Sequence, residues 1–247
     1  MKNILALVVL MVVVFGCKAM TDTSGFTPAE HYEFAKSFYD DEDYLEAIAQ
    51  FKSILVQYPG NEVTDDAQFY LGMSHFQRSE FILSAYEFSK LIKNIPASSF
   101  VPECQFMLGE SYYELSPDAV LDQSYTAKCI EEFQAFIEFF PLDKRVAGAE
   151  KKINELNNKL AEKEYYNAIV YERMEYYMAA IKTYEYILRV HHDSEYVKDA
   201  MYNLIKLQER KNLVADLLRN IETFIESYPD DSRVKELDDL KVSFEGN

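Results

Sequence analysis

The chain has 247 residues, of which 49% are hydrophobic and 15% aromatic, so it contains ample material for a folded core. Its formal net charge is −17 at pH 7, with 42 acidic residues against 25 basic ones. A chain of this charge is repelled by phosphate backbones, which excludes nucleic acid as an expected partner.

The first segment, residues 1–16, has the features of a secretory signal peptide. Lys2 precedes an uninterrupted apolar run over residues 4–15, which is shorter than the about 20 residues that a membrane-spanning helix needs. A small residue and then Cys17 follow directly, and this order resembles the lipobox of bacterial lipoproteins. The resemblance implies cleavage before Cys17 and a covalent lipid on it, and we expect no other cofactor. An ordinary signal peptide with an incidental cysteine is the alternative.

Residues 17–27 are predicted to form a lipidated tether. The stretch from Thr21 to Gly25 is polar and cannot bury enough apolar surface to fold. Lys18 follows the cysteine where an aspartate would resemble an inner-membrane retention signal. By this analogy we expect the protein on the periplasmic face of the outer membrane, held to it through the lipid.

The rest of the chain contains five copies of a sequence repeat, which predicts a solenoid. Four copies close at a proline and one at a histidine: Pro59, Pro96, Pro141, His192 and Pro229. A large apolar residue stands eight positions before each of these markers: Phe51, Phe88, Phe133, Tyr184 and Ile221. The shared register indicates that each copy is one structural unit.

The unit resembles the tetratricopeptide repeat, in which a Leu-Gly pair lies in the first helix of a hairpin and an alanine, an aromatic residue and a proline mark the second. Leu71 and Gly72 match the first half, and Ala47, Phe51 and Pro59 match the second. Small residues recur twelve positions apart in the sequence, and we expect them to lie where the two helices of a hairpin touch. The sequence therefore predicts an all-α fold, a tetratricopeptide-like helical-hairpin solenoid with about five repeats in two lobes.

The two predicted lobes differ in regularity. The N-terminal lobe, residues 28–143, holds repeats one to three, and an eight-residue excess around residues 116–118 predicts an extended loop in the third. The C-terminal lobe, residues 144–247, opens with a long linking helix over residues 144–172, because strong helix formers dominate there. It continues with repeats four and five and a closing helix over residues 233–244.

Cys104 and Cys129 occupy positions where other copies carry alanine or serine. We interpret them as two buried small residues rather than a disulfide, although a periplasmic setting would allow them to pair.

Two rows of aromatic residues recur in the predicted first helices. The first row is Tyr32, Phe69 and Phe106, and the second, seven positions further on, is Tyr39, Phe76 and Tyr113. Seven residues are about two helical turns, so both rows share one face. Because other apolar residues supply the core, the rows predict a peptide-binding groove on the inner surface of the solenoid. Core packing of the same rings is the alternative.

The C-terminal half carries a set of charged and histidine residues, which we interpret mainly as a solvated face: Glu172, Arg173, Glu175, Lys182, Arg189, His191 and His192. A docking surface for a partner protein is the alternative. His75 occupies an aromatic position of its repeat and is predicted to be a packed ring. No nucleophile and base, phosphate loop or paired-cysteine spacing is present, so we expect no catalytic or metal site.

The lipobox, the tether, the five repeats and the linking helix together resemble the BamD-type lipoproteins of the outer-membrane β-barrel assembly machinery. Residues 121–125 and 127–141 are especially similar to that family's third repeat. The resemblance implies a non-enzymatic scaffold whose partners are the barrel insertase, other assembly lipoproteins and unfolded outer-membrane proteins. It implies that the C-terminal lobe docks on the insertase and that the N-terminal groove meets substrates or other lipoproteins.

Two other functions fit the same fold. One is a tetratricopeptide lipoprotein that coordinates cell-wall synthesis or envelope constriction. The other is a nutrient-capture lipoprotein that binds glycans, but the chain has no tryptophan, the usual platform for sugars.

Overall fold

A computed structural model describes the fold over residues 23–245. In that range the regular structure consists of eleven helices, which confirms the predicted all-α class. The helices are α1 (Pro28–Asp40), α2 (Tyr44–Gln57), α3 (Thr64–Gln77), α4 (Phe81–Asn94), α5 (Val101–Leu115), α6 (Ser124–Phe139), α7 (Val146–Arg173), α8 (Tyr177–Val190), α9 (Val197–Arg210), α10 (Val214–Ser227) and α11 (Val234–Glu245).

The first ten helices pair in sequence into five hairpins, and each hairpin packs on the next. The large apolar residue of every second helix is fully buried, as the repeat register predicts: Phe51, Phe88, Phe133, Tyr184 and Ile221. Each second helix ends two residues before the marker that closes its repeat. Where the marker is a proline, the cause is that proline disfavours helical backbone in the residue before it. The tetratricopeptide-like architecture is therefore confirmed.

In four hairpins, the turn between the two helices contains one residue with a left-handed backbone conformation. Glu42, Ser79, Glu175 and Asn212 have φ angles of 61°, 58°, 62° and 55°, in the left-handed region that ends helices. The third hairpin has instead the predicted loop, between Leu115 and Ser124. There the Gln123 side-chain amide donates to the carbonyl oxygens of Asp118 and Leu121, at 2.8 and 3.1 Å. These bonds close the loop on itself.

Helix α7 is the predicted linking helix, and its 28 residues serve two hairpins. Ala149, Ile153 and Leu156, in its first half, share a core cluster with α6. Ala168, in its second half, packs instead in the cluster of α8. The second half of α7 is thus the first helix of the fourth hairpin. The division of the chain into two lobes at residues 143 and 144 stays a prediction.

The two ends of the described chain are polar. Thr27 begins α1 with a reciprocal hydrogen-bonded cap to Glu30. At the other end α11 buries Leu237 and exposes Lys235 and Asp238, which confirms a closing helix with a solvated outer face. In residues 23–245 no helix is long and apolar enough to cross a bilayer. The predicted signal peptide, Cys17 and residues 17–22 of the tether lie outside the described residues.

Cys104 and Cys129 are both free and fully buried, which confirms their interpretation as small core residues. The Cys129 thiol donates to the carbonyl oxygen of Gly109 at 3.3 Å, and burial raises its pKa to about 12.

The two helices of the second and third hairpins approach each other closely at Gly72 and Gly109. A Cβ atom at Gly72 would lie 2.7 Å from Phe88, and one at Gly109 would lie 2.7 Å from Phe133. We expect Gly72→Ala to lower the free energy of unfolding by about 1 to 2 kcal/mol, because overpacking of a fixed ring outweighs the helix propensity of alanine. Urea denaturation measures the change.

Gly148 provides the matched control, since it lies in α7 with open space around its α-carbon. Gly148→Ala should raise stability by about 0.5 to 1 kcal/mol. Equal effects of the two substitutions would contradict close helix contact at Gly72.

Candidate functional site

The first predicted aromatic row lies in a seam between hairpins. Phe69 is only 8% exposed and packs 6.1 Å from Phe88. The Phe106 ring lies 5.6 Å from Phe133, and the Tyr32 ring lies 6.3 Å from Phe51. Each ring of this row therefore contacts the buried ring of its own second helix.

The residue just before the first helix of the next hairpin covers most of this row. Phe100 stacks on Phe69 at 4.4 Å, and the Arg145 guanidinium lies 4.8 Å from the Phe106 ring centre. Phe69 is thereby held in the core, whereas Phe106 stays partly buried. The burial of Phe69 corrects the expectation that its ring lines an open groove. Tyr32 is half-buried and packs against the core cluster that contains Val63, the corresponding residue of the second hairpin.

The same seam continues through the C-terminal half, which the repeat analysis missed. Tyr165 packs 6.0 Å from Tyr184 and is covered by Tyr196, and Tyr202 packs 6.5 Å from Phe224 and is covered by Arg233. Tyr165 and Tyr202 are also 37 positions apart, but the linking helix puts 59 positions between Phe106 and Tyr165. The spacing between the last two residues was the signal that could have revealed them.

The second predicted row remains half-buried in all three first helices. Tyr39 packs edge-on against Tyr44 at 5.5 Å, and Phe76 packs edge-on against Phe81 at 5.3 Å. Lys152 of α7 lies 4.1 Å from the centre of the Tyr113 ring. These rings keep part of their surface in solvent, so Tyr39, Phe76 and Tyr113 form the candidate functional site.

Charged side chains lie beside two rings of the candidate site, Tyr39 and Tyr113. Lys36 binds Asp40 and lies over the rings of Tyr39 and Tyr70, at 5.3 and 4.7 Å. The Tyr113 hydroxyl donates to Glu155 at 2.6 Å, and this bond raises the Tyr113 pKa to about 12.

The arrangement offers ring faces and neutralised ion pairs, but no free nucleophile beside a base. It can hold apolar and aromatic side chains through stacking, which contributes about 0.5 to 1.5 kcal/mol per ring pair. In residues 23–245 no cluster of three histidine, cysteine or acidic side chains could hold a metal ion.

The charged residues predicted in the C-terminal half do not form one site. The Tyr184 hydroxyl donates to Glu172, and Glu175 forms a helix turn. His191 packs against Tyr186 at 5.7 Å, and burial lowers its pKa, whereas the neighbouring His192 is exposed. The remaining three are exposed: Arg173, Lys182 and Arg189.

His75 is buried, and its Nδ1 atom lies 2.6 Å from a carboxylate oxygen of Glu80. The prediction of a packed histidine ring is confirmed.

Comparison with known proteins identifies related sequences. Residues 25–213 match the YfiO family, described as "Outer membrane lipoprotein". The outer membrane protein assembly factor BamD of Rickettsia prowazekii (strain Madrid E) is 28% identical over 207 residues, which cover 83% of this chain and 82% of that protein.

Among solved structures, the complex of the TPR2AB domain of yeast Sti1 with pHSP90 has 14% identity and a TM-score of 0.44, covering 88% of this chain and 82% of that one. The tetratricopeptide protein TTC0263 of Thermus thermophilus has 14% identity and a TM-score of 0.39, covering 88% of this chain and 98% of that one.

The different burial of Phe69 and Phe76 has a measurable consequence. We expect Phe69→Ala to lower the free energy of unfolding by about 3 to 5 kcal/mol, because it removes a ring from the core. Phe76→Ala should cost less than half as much, since its ring is already partly solvated. Urea denaturation of both variants tests this. Equal losses of unfolding free energy would show that Phe76 is a core residue like Phe69.

The pH dependence of stability in acid tests the position of Arg145, the residue that lies over the Phe106 ring. Arg145 donates two side-chain bonds and its backbone N–H to Asp143, at 2.8 to 2.9 Å, and lowers the Asp143 pKa to about 2. The ordinary aspartate pKa is about 4, so this pair stabilises the fold above pH 4 and is lost as the pH falls towards 2.

We therefore expect Arg145→Gln to flatten the decline of stability between about pH 4 and pH 2, as followed by thermal unfolding. An unchanged acid profile would show that Arg145 does not hold this carboxylate.

Proposed function

The chain belongs to the YfiO family of outer membrane lipoproteins, and on that premise we propose that it is a non-enzymatic scaffold for the assembly of outer-membrane β-barrel proteins. The observation that carries the proposal is the family match over residues 25–213, which spans helices α1 to α9 and so the first four hairpins. The name of the R. prowazekii relative, an outer membrane protein assembly factor, supports the same role.

The proposed anchor is a lipid on Cys17, inserted in the outer membrane from the periplasmic side. The end of the tether is fixed to the folded body, because the Tyr58 hydroxyl donates to the Phe26 carbonyl at 3.1 Å and the Phe26 ring packs 5.6 Å from Phe34. The nine residues from 18 to 26 span at most about 30 Å when extended. Such an anchor would keep the first hairpin near the bilayer surface.

The proposed partners are the barrel insertase, other assembly lipoproteins and unfolded barrel proteins. We assign the unfolded segments to the face of Tyr39, Phe76 and Tyr113, whose rings are half-buried. These rings suit such segments because strands of membrane barrels alternate apolar with polar residues and carry aromatic residues near their ends. A few ring contacts of about 1 kcal/mol each give weak binding, which suits a substrate that must be released. We assign insertase docking to the C-terminal half.

Site-specific photocrosslinking in growing cells tests the proposal. A photoreactive residue at Phe76 should capture newly made barrel proteins, because this ring belongs to the candidate site. The same probe at Tyr86 is the control, since that side chain is 61% exposed on α4 and lies outside both rows. Depletion of the protein should also lower the amount of folded barrel proteins several-fold.

Capture of cell-wall synthesis enzymes at Phe76, together with normal barrel-protein levels after depletion, would contradict the proposal and support the alternative role in envelope constriction. Equal capture of barrel proteins at Phe76 and Tyr86 would remove the candidate site from the proposal.

A further inference from the structure

Each first helix has two positions, one turn apart, that face the second helix of the preceding hairpin, and a third position one turn later, at or just past the end of the helix. We call them stacking positions. In the second, third and fifth hairpins they are Tyr70, Ser74 and Arg78; Met107, Ser111 and Leu115; and Asn203, Leu207 and Lys211. The first two positions of each set are buried or half-buried, and the middle residues, Ser74, Ser111 and Leu207, are buried.

Contacts show that the preceding helix supplies this cover. Tyr70 stacks on Phe51 of α2 at 6.0 Å. The Ser111 hydroxyl lies 3.0 Å from that of Ser84 in α4. Asn203 donates to the hydroxyl oxygen of Tyr184 in α8 at 3.2 Å.

The first hairpin has no preceding helix among residues 23–245, and its stacking positions are Glu33, Ser37 and Asp41, all exposed. These residues are polar, as the solvated end of a solenoid requires. The chain thus uses polar residues where a stacking face meets water.

The fourth hairpin breaks this rule. Its stacking positions are Tyr166, Val170 and Met174, which are 46%, 49% and 53% exposed. The cause is the length of α7, because α6 packs beside Ala149 and Leu156 in the first half of that helix. No helix of the described chain is left to cover the second half, so an apolar stripe of about two turns faces solvent.

The open space along α7 is not apolar everywhere. A cleft of about 450 Å³ beside its first half is lined chiefly by polar side chains: Asp118, Glu155, Asn158, Lys159, Glu162 and Glu195. That part of the helix therefore has a solvated polar surface, whereas the stripe of Tyr166, Val170 and Met174 is apolar. Exposed apolar patches on folded proteins mark interaction sites.

We propose that this stripe docks an amphipathic helix of a partner protein. A helix is the occupant because a helix covers the first two of these positions in the second, third and fifth hairpins, and Tyr166 and Val170 are their equivalents on α7. Leu121 of the extended loop is also exposed and lies at the N-terminal end of the stripe, where Lys163 donates to its carbonyl oxygen at 2.6 Å.

Charge indicates what flanks the apolar face of the partner helix. Arg173, next to Met174, is exposed and has no ion-pair partner among residues 23–245. This cation suits a carboxylate beside the apolar face of the partner helix. The inference does not depend on a role in barrel assembly.

The test places a photoreactive residue in turn at Tyr166, Val170 and Met174 of the full-length, membrane-anchored protein. Mass spectrometry then maps the crosslinked position on the captured chain. We expect the three probes to reach one segment of one partner, at positions three or four residues apart, because helix packs beside helix. Captured positions two residues apart would indicate a strand, and scattered positions or a second copy of this chain would also overturn the proposal.

Two further variants separate docking from folding. Arg173→Glu should reduce capture at Val170 at least five-fold, whereas Arg173→Lys should keep it, and both variants should retain the helicity and melting temperature of the parent. The matched control is a probe at Leu45, an apolar residue that is 65% exposed on α2 but lies outside any stacking position. Equal capture at Leu45, or undiminished capture with Arg173→Glu, would contradict the proposed site.

Discussion

The close approach of paired helices at small residues is the constraint on which the rest of the structure depends. Gly72 and Gly109 leave only enough room for the rings of Phe88 and Phe133, and each ring then also reaches the first helix of the following hairpin. A hairpin built in this way buries one side of its second helix against itself and the other side against its neighbour. Stacking must therefore continue until a polar face ends it.

This stacking also decides which side chains are available for binding. The first-row rings of the second and third hairpins lie between their own second helix and the residue before the next first helix, so the buried Phe69 and the partly buried Phe106 stabilise the array. Two turns further along, Tyr39, Phe76 and Tyr113 contact the start of the second helix or the side of α7 and keep part of their surface. The proposed binding surfaces lie where stacking is incomplete: on the second row and along the second half of α7.

Much of this architecture followed from the sequence, because its signals are local and periodic. Prolines and buried rings at fixed offsets located the hairpins, the excess of residues in the third copy located the loop, and the run of helix formers located α7. Burial of the first row did not follow. Its cover comes from the next turn and changes in type from Phe100 to Arg145, so no repeated residue marks it. The open stripe was equally hidden, because Tyr166, Val170 and Met174 are apolar like core residues, and the length of α7 is what leaves Tyr166 and Val170 uncovered.

Methionine oxidation tests most directly whether successive helices cover one another everywhere except beside the fourth hairpin. Met107 occupies the first stacking position of the third hairpin and is 9% exposed, whereas Met174 occupies the third stacking position of the fourth hairpin, just past the end of α7, and is 53% exposed. In the purified protein treated with dilute hydrogen peroxide, Met174 should form its sulfoxide at least ten times faster than Met107, as measured by peptide mass spectrometry. Equal rates at the two residues would contradict the stacked arrangement and the open stripe together.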